Sequence, residues 1–138
     1  MEENKCNDLK PTGIKQLKED DCLRQIFEKQ ALLQERLGRL PRARQSNMQE
    51  KCLMIMEELF SINAEMTEML ERLPFKHWKT YSKEKLEDWV SEEQRTETLF
   101  EYIDALHFFI NIGLTLGFSA EEVFYYYIEK NKENHNRQ

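Results

Sequence analysis

Seven apolar residues, Cys52, Ile55, Leu59, Ile62, Met66, Met69 and Leu73, are spaced alternately three and four apart. Only an α-helix gathers them onto one face, because residues three and four apart are neighbours on a helix and scatter to both faces of a strand. The stripe is about six helical turns long, so any fold of this chain must accommodate a long amphipathic helix. Pro74 ends it, and Ser46 followed by Gln49 has the form of a capping box that opens it. With only 4 Gly and 3 Pro in 138 residues, a turn-rich β-sandwich is excluded and an all-α fold is expected.

The other elements follow from their end signals. A first helix is expected from Asp20 to Leu37, stopped by Gly38 with Pro41 beyond. A third is expected from Ser91, paired with Gln94, to Leu116, with Gly117 as its stop. Ser119 with Glu122 is a second capping box, opening a fourth helix to about Asn134. Residues 75–92, with Phe75, Trp78, Tyr81 and Trp89, connect the second and third helices. The pattern predicts a four-helix bundle over residues 19–138. Residues 1–18 are polar, lack periodicity and read as a flexible arm.

From Ala105 to Leu116 the third helix is apolar on nearly every face. Four helices in so short a chain leave such a helix incompletely covered, so the core is expected to be completed in a homo-oligomer. The run is short for a membrane span and is broken by His107, Asn111 and Gly113. The amino terminus has no apolar segment of the kind a signal peptide needs, and the three cysteines fit no zinc spacing or disulfide framework. A cytoplasmic protein without a membrane partner is expected.

The formal net charge is −6, which disfavours duplex nucleic acid as a partner. The charge is also concentrated. Residues 52–71 hold five glutamates (Glu57, Glu58, Glu65, Glu68, Glu71) and residues 96–129 hold six acids (Glu97, Glu101, Asp104, Glu121, Glu122, Glu129), and neither stretch has a Lys or Arg. Surface helices mix signs, since like charges four apart repel, so a cation from elsewhere is expected at these faces. Glu65 and Glu68 share a helical face, and Glu101 and Asp104 repeat the same spacing at the start of the buried run, where Asp104 should be partly covered. Four converging carboxylates do not all stay ionised in a covered site without a cation. Oxygen ligands in that number suit Mg²⁺, with Mn²⁺ as the second choice. Glu57, Glu58, Glu71 and Glu97 read as surface, with Glu71 as an outer residue of the site. His77 and His107, each among aromatics, read as structural.

Glu65-x-x-Glu68 followed by Glu101-x-x-Asp104 resembles the metal signature of the all-α NTP pyrophosphatase superfamily, the MazG-like proteins and dimeric dUTPases. Phe75-Lys76-His77-Trp78-Lys79, Asp104-Ala105-Leu106-His107-Phe108 and the stretch from Leu116 to Gln138 are similar to segments of the dimeric dUTPase branch, as is Gln30 with Leu33 and Gln34. Many relatives continue past Arg137-Gln138 with Gly and Tyr.

The resemblance implies a Mg²⁺-dependent pyrophosphohydrolase that converts dUTP to dUMP and pyrophosphate, with dUDP also accepted. It implies Glu65, Glu68, Glu101 and Asp104 as metal ligands and catalytic residues, one of them orienting the water. It further implies Gln30 and Gln34 at the base, Trp78 stacking on it, Lys79, Lys130 and Arg137 at phosphates, and Asn134 at the deoxyribose. The short stretch between Trp78 and Glu101 leaves a homodimer and a MazG-like homotetramer both open. Two alternatives stand beside this reading. One is a broader pyrophosphohydrolase acting on dCTP or damaged nucleotides; the other is a non-catalytic helical interaction module.

Overall fold

A computed structural model describes residues 21–138; the expected arm over 1–18 lies outside them, as does Asp20. The described chain is α-helical, in the order α1 (Cys22–Arg36), α2 (Arg39–Gln45), α3 (Met48–Glu71), α4 (Lys83–Glu87), α5 (Glu92–Leu116) and α6 (Ala120–Asn136). The four long helices are those the sequence signals delimit, so the all-α expectation holds. Two short helices were not foreseen. Gly38 does stop α1, with φ at +76°, but α2 starts directly after it. Pro41 sits in the first turn of α2, where a missing N–H costs no helical hydrogen bond.

The caps show how closely local chemistry sets these ends. Asn47, not Ser46, caps α3, and its partner is Glu50 in a reciprocal capping box. Ser119 and Glu122 form the box foreseen for α6. At α5 Ser91 accepts from the Gln94 N–H, but the Gln94 side chain reaches back to the Val90 N–H instead of closing the box. Gly117, at φ +78°, lets the Phe118 N–H return to the Gly113 carbonyl and close α5.

α3 packs against α5 along its length, and α1 lies on α5, α2 and α6. The fully buried apolar set is small: Phe27, Ala43, Met54, Ala105, Ile110 and Ala120. Gln30, Gln34, Glu58, Thr98, Glu101, Asn111 and Thr115 are buried with them. α3 does not turn the centre of its apolar stripe to α5. The most buried positions are Met54 and Glu58, while Leu59 of the stripe and its flanking Leu53, Met56 and Phe60 are exposed. Glu58 is thus a buried residue, against its reading as surface, because this one-notch rotation carries it into the contact. Phe109 and Tyr102 of α5 and Phe124 to Tyr127 of α6 are exposed too. No single helix among the described residues is long and apolar enough to cross a membrane.

Among the described residues, Met54 is the one large side chain buried to about completion. Met54→Ala should destabilise the chain by about 2–5 kcal/mol, the usual range for emptying such a position. Chemical denaturation followed by circular dichroism measures it; a loss well below 1 kcal/mol (about half the low end of that range) would mean the site is not packed.

Candidate metal centre and adjoining groove

The α3–α5 contact creates the acidic cluster. Glu65 of α3 and Glu101 and Asp104 of α5 each offer an oxygen, and these three atoms lie within 4.8 Å of one another. Glu101 is buried, Glu65 is partly buried and the Asp104 side chain is half exposed. The covered member of the α5 pair is therefore Glu101, since the Arg72 guanidinium lies on its carboxylate. Glu68 is exposed and stands outside the group of three. Its charge still acts on Glu65.

Burial foremost, and then the charges of Glu68 and Asp104 and the contact with Glu101, push the Glu65 carboxyl up to about 7. Asp104 is raised as well, by burial foremost and by Glu101, against the opposing effect of His107. His107 Nδ1 stands 3.7 Å from Asp104 Oδ1, and its side chain is half exposed. It is a neighbour of the cluster rather than the packed core histidine expected. His77, also exposed, lies edge-on to Trp78.

Two arginines outside the base-free stretches were not foreseen. Arg72, the first residue past the α3 stretch, donates from Nε and Nη2 to Glu101 Oε1 (3.0 and 2.6 Å) and from Nη1 to Glu97 Oε2 (2.6 Å). Its carbonyl accepts from Gln94 Nε2, which ties the end of α3 to the start of α5. Arg39 of α2 pairs with Glu57 and Glu58. The chain itself therefore neutralises Glu57, Glu58, Glu97 and one oxygen of Glu101. Glu65, Glu68 and Asp104 have no Lys or Arg within ion-pair distance among the described residues. At the cluster, the unmet demand for positive charge lies on these three and the second oxygen of Glu101. Hard oxygen donors, without sulfur or imidazole in the group, fit Mg²⁺ or Mn²⁺.

A groove of about 380 Å³ opens beside the cluster, between Ile26, Lys29 and Gln30 of α1 and His107 and Ile110 of α5. His107 touches both the groove and Asp104. Gln30 and Gln34 are both buried on α1. The remaining expected site residues are dispersed. Trp78 is exposed, with its ring against Phe75 and His77. Lys79 and Asn134 are exposed, and Lys130 and Arg137 lie by Glu133 on α6. None of the five makes a hydrogen bond or ion pair with the cluster among the described residues.

Fold and site define a class: an all-α protein whose two central helices bring carboxylates together beside a largely apolar groove. The family model described as dUTPase matches residues 22–117. The chain belongs to the dUTPase family. It is similar to a dCTP pyrophosphatase of Enterobacteria phage T4, 42% identical over 67 residues, which cover 46% of this chain and 39% of the relative. A dCTP pyrophosphatase of Enterobacteria phage LZ5 is 47% identical over 68 residues, with the same two shares. A DNA replication protein of phage T4 is 41% identical over 61 residues, covering 42% of this chain and 16% of the relative. The matched part thus spans about two-fifths of the length of the two dCTP pyrophosphatases. No solved structure matches the chain.

Proposed function

We propose that the chain is a divalent-metal-dependent pyrophosphohydrolase of pyrimidine deoxynucleoside triphosphates, releasing the nucleoside monophosphate and pyrophosphate. The observation that carries this is the convergence of Glu65, Glu101 and Asp104 in a dUTPase-family chain, with Glu65 and Asp104 left without a Lys or Arg partner among the described residues. These three carboxylates would hold Mg²⁺ or Mn²⁺. When bound, the ion neutralises phosphate charge and lowers the pKa of water. Glu65 is the group that holds a proton near neutral pH and yields it as the cation arrives. Glu68, exposed beside Glu65, completes the metal ligands or orients the attacking water. Arg72 fixes Glu101 through two hydrogen bonds to one oxygen and leaves the other open. Phosphoryl transfer needs positioning and charge stabilisation above all, so no covalent nucleophile is required.

The groove beside His107 takes the base, with Gln30 as the reader of its edge and Gln34 behind it. Trp78 stacks on the base, Lys79, Lys130 and Arg137 meet phosphates, and Asn134 meets the sugar. These roles require the residues to come to the nucleotide from the α3–α4 connection and from α6. Residues 19–138 act as one domain, in the cytoplasm, and a homodimer or homotetramer covers Leu53, Leu59, Phe60 and Phe109. Large apolar side chains exposed in that number are read as a subunit contact first.

Family membership favours dUTP, with dUDP giving dUMP and phosphate. The names of the phage relatives favour dCTP as a second reading. A panel of the four standard deoxynucleoside triphosphates plus dUTP, with Mg²⁺, decides. Pyrophosphate is expected from dUTP or dCTP at a rate well above that from the purines. Release from none of them rejects the proposal, and release from all alike rejects the pyrimidine assignment.

A further inference from the structure

A line of polar side chains runs through the core to the groove. Arg39 Nη2 donates to Glu58 Oε1 (3.0 Å), Asn111 Nδ2 donates to Glu58 Oε2 (3.2 Å), and Gln30 Nε2 donates to Asn111 Oδ1 (2.7 Å). Glu58, Asn111 and Gln30 are 4%, 5% and 6% exposed. They come from α3, α5 and α1, with Arg39 from α2. Burying three polar side chains in so small a core is costly unless each is paired, and here each is.

The direction of the line is fixed from its far end. A guanidinium only donates, and the carboxylate held by it only accepts. Asn111 must therefore turn its NH₂ group to Glu58 and its carbonyl to Gln30. Gln30 must then turn its own NH₂ to Asn111. Among the described residues no fully buried side-chain nitrogen or oxygen lacks a partner, and the Gln30 carbonyl has none. That oxygen is accordingly open to the groove Gln30 lines.

We propose that Arg39, Glu58 and Asn111 are positioning residues that lock the Gln30 carboxamide in one orientation and so set which pyrimidine the groove accepts. This rests on the reading of the groove as the base pocket. A freely flipping carboxamide suits both bases. Against uracil it accepts from N3–H and donates to O4; against cytosine it accepts from the N4 amine and donates to N3. Along the base edge those two patterns are reversed, so a locked amide matches one base and opposes the other. Sites that read a base or substrate by buried hydrogen bonds discriminate strongly, because the wrong partner leaves polar groups unpaired.

The chemistry supplies its own reversal. In Glu58→Gln the new amide keeps its carbonyl on Arg39 and turns its NH₂ to Asn111. Asn111 then flips, and Gln30 flips after it. The ratio of kcat/KM for dUTP over dCTP should move by roughly tenfold or more toward the base that the wild-type chain disfavours. In Glu58→Gln with Asn111→Asp, the aspartate accepts from both neighbours and Gln30 returns to its first orientation. The ratio should return with it, and the charge of the line is restored. A purely structural role would slow both substrates alike and give no such return. Calorimetry with dUMP and dCMP should follow the same pattern without turnover.

A wild-type chain that cleaves a pyrimidine nucleotide with preference, but keeps its ratio within about twofold in Glu58→Gln, overturns the lock and leaves the proposed function standing. Equal cleavage of dUTP and dCTP by the wild type also overturns it. Inactivity toward every nucleotide overturns the function first. If Glu58→Gln does not fold, nuclear Overhauser contacts in the wild-type chain decide: Gln30 amide protons near Asn111 support the lock, and Asn111 amide protons facing the Gln30 carbonyl overturn it.

Discussion

Glu65→Gln should abolish turnover while making the metal-free chain more stable. Glutamine keeps the size of the side chain but removes a charge crowded by Glu68, Asp104 and Glu101. Loss of a residue that merely orients a metal ligand costs about 10–100-fold in affinity or activity. Loss of a ligand should cost more, so kcat/KM is expected to fall by more than about 100-fold. The metal-free melting temperature should rise at neutral pH, because the wild-type Glu65, pushed up to about 7, is half ionised there at the expense of the fold. Steady-state kinetics and paired melting curves measure both. A variant that loses activity and stability together would be a packing defect, and one that keeps its turnover would remove Glu65 from the metal site.

The Glu65–Glu68 and Glu101–Asp104 pairs were legible because a spacing of three puts both members of a pair on one helical face; that Glu65, Glu101 and Asp104 converge while Glu68 stands outside them depends on how α3 meets α5. The long helices were legible for the same reason, with Gly117 and the Ser119–Glu122 box marking ends that only those residues make well. The partners of the acids were not. Arg72 is adjacent in sequence to the base-free stretch, but its two hydrogen bonds to Glu101 span 29 residues and depend on how α3 and α5 are aligned. Glu58 looked like surface because it lies one step off the apolar stripe. The packing of α3 turns that edge inward, where Arg39 from the unforeseen α2 meets it. Charge patterning thus located the cluster, and tertiary contacts decided which acids still need a cation. Trp78, Lys79 and the residues of α6 are a different case, since their expected roles came from resemblance and their positions depend on chain segments that spacing does not place.

Mg²⁺ should stabilise the chain, and its effect should grow as the pH rises. Glu65 titrates at about 7 in the fold against 4.5 for an ordinary glutamate. A carboxyl raised in the folded state contributes stability that is complete below the unfolded value and is lost as pH passes through the folded one. The metal-free chain should therefore weaken between about pH 4.5 and pH 7, with Asp104 acting in the same direction. Glu121, lowered by its own backbone N–H and then by Arg24, acts in the opposite direction at lower pH. A cation binds the ionised carboxylates, so it must displace the Glu65 proton where that proton is still held. Binding near pH 6 should release roughly one proton per ion, and near pH 8 almost none. At a hundredfold excess over Kd, one ion adds about 2.7 kcal/mol to the folded state, which is several degrees for a chain of this size. Chelation should reverse that gain and stop pyrophosphate release. Melting curves with Mg²⁺ and with chelator, at about pH 5, 6.5 and 8, read the effect together with calorimetric proton release in two buffers of different ionisation heat. A Mg²⁺ shift that is absent at every pH would remove the metal from this cluster. A shift independent of pH, without proton release, would place the ion on acids other than Glu65.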